Sequence, residues 1–519
     1  MSNFFFSAGL LSTIFFAQSI ERSVNDKRNS MSSSIQAIIL AAGKSTRFHT
    51  DKTKLAEPIC GQPMILFSTK LLQSLNIPTT VVIGYQKETI KEIITKQHAD
   101  RVEFATQEKQ EGTGHALACT KHLWNHENIL VLNGDMPLIN ADLINLLCQE
   151  HLKTNAVISF ITACNDDTSS GAYGRIVRKD NKIAIVEAKD FSGDINEHCC
   201  INAGIYLINK NFLEGYITKL DDNNASKEFY ITDLVKIASD NNLTVTTAPA
   251  PFDTIRGINT FQELWAAEQI KRSELIKYWM DNGVRFSHPH YVHLDLGVSI
   301  GQGTVIGSGV HLLGDTTIGK NCTIREFSTL ENVITEDYAY IDSHCVIKNA
   351  YIRSHAHVGP FAHLRSRVTI GKHSTVGNFV EVKNSTIGDH TQTKHLSYLG
   401  DATVGNNVNI GAGTITCNYD GITKHETHIE DNAFIGSNNT LIAPITIGDN
   451  AFTAAGSTLT TDVPSKALAI ARAYQTNKNN YAEKFKKNPV KEKSVDAKGD
   501  SFSFVCATLI NHDTTIDEQ

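Results

Sequence analysis

Over the first half of the chain, short β-branched runs alternate with segments of helical period. Residues 35–40, 79–84, 129–132 and 156–161 read as strands, and amphipathic stretches such as 64–75 lie between them. Such alternation predicts a mostly parallel sheet with helices on both faces, an α/β domain spanning 35–260. Ligands of these sheets sit at the carboxyl ends of the strands, at a switch in strand order. Residues 261–283 predict one helix. Phe261, Leu264, Trp265, Ala267, Ile270, Leu275, Ile276, Trp279 and Met280 fall near 3.6-residue spacing, and Asn282-Gly283 is a stop signal. We read it as a rigid arm rather than a flexible linker.

Beyond the arm the period changes to six. Ile300, Ile306, Leu312, Ile318, Ile324 and Leu330 recur at that spacing, as do Ile352, Val358, Leu364, Ile370, Val376 and Val382, then Val404 and Ile410, then Ile429, Ile435, Leu441 and Ile447. Hexapeptide periodicity predicts a parallel β-helix over 284–477, each aliphatic side chain stacking inward on its neighbours in adjacent coils. The repeat breaks at 388–403 and 411–428, and both breaks read as surface loops. Residues 478–519 read as a disordered tail, with a mildly β-prone stretch at 501–510.

The first 34 residues are read apart. Phe4 to Phe16 form an apolar run of signal-peptide length, but no Lys or Arg precedes it and no A-x-A site follows. The run is too short to span a bilayer. We read 1–34 as a disordered extension outside the fold, with a start codon placed too early ahead of Met31 as one account of it and a membrane anchor as the minority alternative.

Composition is that of a soluble globular protein, 41% hydrophobic and 20% charged in 519 residues. A net charge of −7 leaves no global basic field to recruit nucleic acid or an anionic membrane. Anionic substrates must therefore be held locally. The ten cysteines include no C-x-x-C and one adjacent pair, Cys199-Cys200, so they read as reduced thiols in a cytoplasmic protein. His288, His290 and His293 lack the acidic or Cys partners that fix a metal and read as packing or surface residues.

Candidate chemistry begins where the first strand ends. Leu40, Ala41, Ala42 and Gly43 form a small-residue turn whose backbone N–H groups can approach phosphate, and Lys44 and Arg47 add charge. Gln107 opens Q-x-x-x-x-G-T-G-H-A, which includes Gly112 and Thr113, and Asp135 follows an apolar strand in Gly134-Asp135-Met136-Pro137. A hard carboxylate there suits Mg²⁺. These motifs resemble the sugar-phosphate nucleotidylyltransferases. Ser45, Thr53 and Asn133 depart from that family's usual Gly, Pro and Tyr. The resemblance implies a Rossmann-like domain with Lys54 on substrate phosphate and Gln107 reading the uracil edge of UTP. It further implies Gly174, Glu187 and Asn202 in the sugar pocket, and Mg²⁺ on Asp135 and Asn259.

A second polar cluster surrounds the breaks in the hexad pattern. Arg365, Lys383, His395, Tyr398, Asn409, Asn418, Tyr419 and Lys424 gather there. A His near pKa 6.5 can take a proton from an ammonium at neutral pH. This half resembles the acetyltransferase part of the bifunctional N-acetylglucosamine-1-phosphate uridylyltransferases/glucosamine-1-phosphate acetyltransferases. The resemblance covers roughly 35–475 and implies a left-handed β-helix in a homotrimer. It also implies His395 as general base, with Arg365, Lys383, Tyr398 and Asn409 on glucosamine 1-phosphate. Ala412, Asn418, Tyr419, Ser437, Ala455 and Arg472 would then face acetyl-CoA. Lys394 stands where that family has a small residue; it either depresses the His395 pKa or points to solvent. The whole implies synthesis of UDP-N-acetylglucosamine for peptidoglycan and lipopolysaccharide, without nucleic-acid partners or stable membrane association. The alternative is a single-activity nucleotidylyltransferase whose β-helix only oligomerises.

Overall fold

The computed structural model describes residues 34–44, 46–48, 51–164, 173–193 and 200–486. The expectations for 1–33, Ser45 and 501–510 lie outside them. A first compact unit runs to Ala471, and a second begins at Arg472. A helical turn at Glu483–Lys486 stands inside the stretch expected to lack structure.

Nine strands make the sheet of the α/β part: β1 (Ile35–Ala41), β2 (Thr79–Ile83), β3 (Val102–Thr106), β4 (Asn128–Asn133), β5 (Ile158–Cys164), β6 (Arg175–Lys179), β7 (Lys182–Val186), β8 (Cys200–Asn209) and β9 (Val245–Pro249). The order is β9-β5-β8-β4-β1-β2-β3, with the β6–β7 hairpin hung on β8. β8 runs antiparallel between β4 and β5, so the sheet is mixed. β1 pairs in parallel with β2 on one side and β4 on the other, so its end is a point where strand order reverses. Burial on both faces explains why its sequence, IQAIILA, hardly alternates. Ala37, Ile39, Leu130 and Leu132 enter one core cluster while Ile38, Ile129 and Val131 enter another. Period-2 geometry divides them between the two faces.

The arm is one helix, α1 (Phe261–Asp281), capped by Thr260, whose side chain accepts from the Glu263 N–H. Ala267 packs into the α/β core and Ile276 into the β-helix core, so one helix serves both. The turn at Cys60-Gly61 adds a second contact, with Leu296 N–H donating to the Cys60 carbonyl at 3.0 Å.

From Arg285 the chain winds into a left-handed parallel β-helix with three faces. Strands of two to four residues pair only with their counterparts one coil above and below, as Ile306↔Ile324↔Ile341↔Val358↔Val376. Inward side chains, one or two per strand, build a continuous aliphatic column, while outward positions mix polar residues with exposed apolar ones such as Ile334, Val346 and Ile415.

Two expectations are corrected here. Residues 388–403 are not a loop. They carry the strands Gln392–His395, Tyr398–Gly400 and Ala402–Val404, with Thr393 and Leu399 inside. The hexad pattern slips because many coils advance by 17 rather than 18 residues, and because Thr393 takes an aliphatic place. Likewise 411–428 contains the strand Ile415–Cys417, with Thr416 inside, and only the segment after it leaves the coil. The cysteines also differ from expectation. Cys164 and Cys200 are directly opposite on β5 and β8 and are joined as a disulfide, their Cα atoms 4.1 Å apart. No spacing rule marks a pairing created by strand register.

Leu364 is fully buried between Ile347 and Val382. Removing it leaves a cavity that a stacked column cannot collapse, so Leu364→Ala is expected to destabilise the β-helix by about 2–5 kcal/mol. A urea melt with an unchanged midpoint would contradict inward stacking as its source of stability.

Candidate active sites

The first site opens at the carboxyl ends of β1 and β4. A cleft of about 410 Å³ is lined by Leu40, Ala41, Ala42, Gly43, Lys44, Arg47, Lys54, Leu55, Gln107, Gln110, Gly112, Thr113, Ala116, Asn133, Asp135, Glu228 and Asn259. Twelve of the anticipated residues, Lys44 and Arg47 among them, thus line one cleft. Gly112 needs its φ of +107°, and a Cβ there would strike the Phe229 backbone. That close approach brings Glu228 to the cleft. Glu228, Gln110, Leu55 and Ala116 were not singled out; Gln110 and Ala116 lie within the Q-x-x-x-x-G-T-G-H-A segment, whereas no local pattern marks Glu228. The Gln107 amide Nε2 donates to the Gly112 carbonyl at 3.0 Å and lies 3.2 Å from His115 Nδ1. Half of the amide expected to read uracil therefore also braces the turn.

Thr53 shows what its departure from Pro does. Its side chain accepts from the Leu55 N–H, starting the single 3-10 turn that carries Lys54. Its own N–H donates to Gln86 Oε1 at 2.8 Å, a bond Pro could not make. Lys54 Nζ then donates to Asp135 Oδ2 (2.5 Å), the Ile258 carbonyl (2.8 Å) and Asn259 Oδ1 (2.9 Å). Three oxygens converging on one cation fit the hard-donor set of a divalent metal, the ammonium standing in for the ion. Among the described residues no group of three His, Cys, Asp or Glu could hold a metal ion, and this set is instead one carboxylate, one amide and one backbone carbonyl.

Gly174, Glu187 and Asn202 do not line that cleft and form a group beside it. Asn202 N–H donates to the Gly174 carbonyl at 2.9 Å, and Glu187 Oε1 accepts from the Thr232 hydroxyl at 3.0 Å. Burial pushes the Glu187 carboxyl above its usual 4.5, although the Thr232 bond opposes this. The Tyr173 hydroxyl accepts from the Gly257 N–H at 3.0 Å and links this group toward Asp135. Asn133 faces Gly204, where any Cβ would meet its amide.

The second site lies on the β-helix. Asn378 and His395 are register partners one coil apart, and His395 Nδ1 lies 2.8 Å from Asn378 Oδ1. An amide oxygen only accepts, so Nδ1 carries the hydrogen and Nε2 presents its lone pair to solvent. Asn378 stands 17 residues before His395, a coil period that register reasoning could have used. Arg365 and Lys383 are likewise stacked in register, and Glu381 Oε1 accepts from Arg365 Nε at 2.8 Å. The Lys383 ammonium is depressed, chiefly by its neighbour Lys424. Asp401 sits below the usual carboxylate range despite the desolvation that raises it, because the Asn384 and Asn418 amides and Lys383 favour its charge. A Cβ at Gly400, the register partner of Lys383, would collide with the Tyr398 hydroxyl and the Asn418 amide, so glycine leaves both groups room there.

The segment after Cys417 is ordered from within. Asp420 accepts from the Ile422 and Thr423 N–H groups (2.7 Å each), and lies 2.7 Å from His425 Nε2. Tyr419 donates to the Gly421 carbonyl at 2.6 Å. Ala412, Ser437 and Ala455 occupy the same turn position in three successive coils, as the bonds Asn438 N→Ala412 O and Gly456 N→Ser437 O show. Asn409 faces outward on the neighbouring face, beside Gln392, and is not brought against Lys383 within this chain. Arg472 belongs to the second unit. Lys394 is exposed.

Residues 37–175 match the MobA-like NTP transferase domain, 297–332 the bacterial transferase hexapeptide (six repeats) and 346–446 the GMPPB C-terminal domain. Among curated relatives, the bifunctional protein GlmU of Exiguobacterium sibiricum is 41% identical over 86% of this chain and 99% of its own. That of Thermosipho melanesiensis is 42% identical over 86% and 97%. That of Geobacillus thermodenitrificans is 42% identical over 87% and 98%.

A carboxyl raised in the fold binds its proton more tightly there than in the unfolded chain. Glu187 therefore costs stability as pH rises from 4.5 through its raised value, and the cost persists above it. Glu187→Gln is expected to raise the melting temperature by about 2 °C at pH 8 and to lose that advantage below pH 4.5. An equal gain at every pH would show that ionisation is not the cause.

Proposed function

Because the chain belongs to the family of bifunctional GlmU proteins, we propose that its two sites act in sequence on one sugar. At the β-helix, acetyl-CoA acetylates glucosamine 1-phosphate; in the α/β cleft, UMP passes from UTP to the resulting N-acetylglucosamine 1-phosphate. Bifunctional transferase activity is the established part of this reading. Which residues carry each step is our inference.

In the first step, His395 Nε2 takes a proton from the sugar ammonium. The freed amine attacks the thioester carbonyl, and the coenzyme leaves as its thiol. Asn378 fixes the tautomer that makes this possible. Arg365, Lys383 and Lys424 hold the sugar phosphate, Tyr398 covers it, and Asn409 would come from a neighbouring chain's face. Ala412, Ser437 and Ala455 line the path of acetyl-CoA, with Asn418 and Tyr419. No acyl-enzyme is needed, so Cys417 remains a bystander.

In the second step, an oxygen of the sugar phosphate attacks the α-phosphorus of UTP and pyrophosphate departs. The turn at Leu40–Gly43, Lys44 and Arg47 orient the phosphates, Gln107, Gly112 and Thr113 face the base, and Gly174, Glu187 and Asn202 hold the sugar. Mg²⁺, on Asp135 and Asn259, supplies charge neutralisation at the transferred group when bound. Positioning and electrostatics suffice for this chemistry.

The observation that favours two activities over a purely oligomerising β-helix is His395, with Nε2 open, in coils that also carry the register-paired cations Arg365 and Lys383. A packing surface needs neither. A homotrimer is supported by an exposed ridge of Phe327 (58%), Phe361 (48%) and Phe379 (56%), leading to Leu396 (62%) beside His395. We place the enzyme in the cytoplasm with small-molecule substrates only; among the described residues no helix is long and apolar enough to cross a membrane.

His395→Ala is expected to lower acetyl transfer by about 10²–10⁴-fold while sparing uridylyl transfer. Separate assays of the two products check this, and loss of both in folded protein would refute independent sites. Sedimentation is expected to give three times the chain mass; a monomer would refute the trimer.

A further inference from the structure

Lys54 makes a contact set that conflicts with the role assigned to it. An ammonium has three N–H donors, and here they reach Asp135 Oδ2, the Ile258 carbonyl and Asn259 Oδ1 at 2.5–2.9 Å. In this arrangement none remains for a phosphate. The same three oxygens are the hard donors that a divalent cation would use, at about 2.0–2.1 Å for magnesium. Ammonium and metal cannot share them. Both charged side chains are also largely enclosed, with 15% of Lys54 and 19% of Asp135 exposed. A bare carboxylate at that depth is costly, so the cage needs a cation at all times.

We infer that Lys54 is the resident counter-ion of the cage, leaving it for substrate phosphate when a divalent cation enters. The inference rests on reading Asp135 and Asn259 as the cation ligands. The local structure permits the exchange. Lys54 is carried on a single 3-10 turn held by Thr53, so its flexible four-carbon stem can re-aim within the cleft it lines without moving a sheet strand. Arg47 also donates to Asn259 Oδ1, at 2.8 Å, and keeps that amide oxygen turned toward the cage during the exchange. Two consequences follow. Metal affinity without substrate is reduced by the fraction of cages that Lys54 occupies. Phosphate that captures the ammonium must raise metal affinity, and by linkage the metal must raise phosphate affinity by the same factor.

The test is Mn²⁺ binding to the full chain without nucleotide, read as loss of the free-ion EPR signal. Lys54→Met and Lys54→Gln are expected to bind Mn²⁺ about five-fold or more tighter than the unaltered protein. Lys44→Met removes a charge from the same cleft without touching the cage, and its affinity is expected to stay within about two-fold. Unchanged or weaker binding in both Lys54 variants, each confirmed folded by circular dichroism, overturns the inference. Equal tightening in Lys44→Met also overturns it, since bulk charge would then explain the effect. Undiminished Mn²⁺ binding in Asp135→Ala would instead sink the cation-site reading itself, a distinguishable result.

Discussion

Parallel pairing in register is the constraint on which both halves of the molecule depend. Adjacent parallel strands lie about 4.8 Å apart, so residues paired in register present their side chains as neighbours on one face. In the β-helix this turns a sequence interval into a surface constellation. Arg365 lies over Lys383, Asn378 over His395 and Glu381 over Tyr398, each pair one coil apart. In the α/β part the same rule lines up the carboxyl ends of β1 and β4, so that the turn at Ala42-Gly43 and the acid at Asp135 open on one cleft. Chemistry is placed by backbone pairing before any side chain makes a contact.

Charge at both sites is held in reserve by internal partners. Arg365 is paired with Glu381 and Lys54 with Asp135. Among the described residues no acid is bonded directly to Lys383; its ammonium is instead crowded by Lys424, and Asp401 offsets part of the repulsion. A phosphate arriving there relieves repulsion between two lysines, an interaction made only in the complex. At Lys54 the order is reversed, because the cation is satisfied before substrate arrives and must be released. The β-helix site therefore gains by attraction alone, and the α/β cleft requires an exchange. That difference follows from enclosure: Lys383 is near solvent, which screens its excess charge, whereas Asp135 is not.

Much of this was legible in the chain because inward aliphatic residues recur from strand to strand and Gly43, Gln107 and Asp135 each follow a strand. Ile300 to Leu330 announced the solenoid, and Gly43, Gln107 and Asp135 announced the cleft. What failed did so for definite reasons. Thr393 and Thr416 are polar at inward positions; Thr416 succeeds there because its hydroxyl bonds the Gly400 backbone, accepting from N–H at 2.8 Å and donating to the carbonyl at 3.1 Å. Seventeen-residue coils then hid the phase. Cys164 and Cys200 meet only through antiparallel register, and Glu228 reaches the cleft only because Phe229 exchanges backbone bonds with Glu111 and Gly114. Local pattern cannot report contacts that depend on distant segments.

The arm ties the cation cage to the rest of the molecule in a way neither half would show alone. Glu263, in the first turn of α1, accepts from the Asn259 N–H at 2.7 Å and from the Thr260 hydroxyl at 3.2 Å. Capping the helix therefore also fixes the backbone that delivers Asn259 Oδ1 and the Ile258 carbonyl to Lys54. The same helix is clamped at its far end, where Ile276 packs into the β-helix and Val284 N–H donates to the Trp279 carbonyl at 3.0 Å. A helix anchored at both ends cannot unwind its first turn without disturbing the cage. Two of the three cage oxygens are thus held by the element that joins the domains, and the third by the sheet. The cage stays rigid while the Lys54 side chain, on a short turn of its own, is the part that can re-aim.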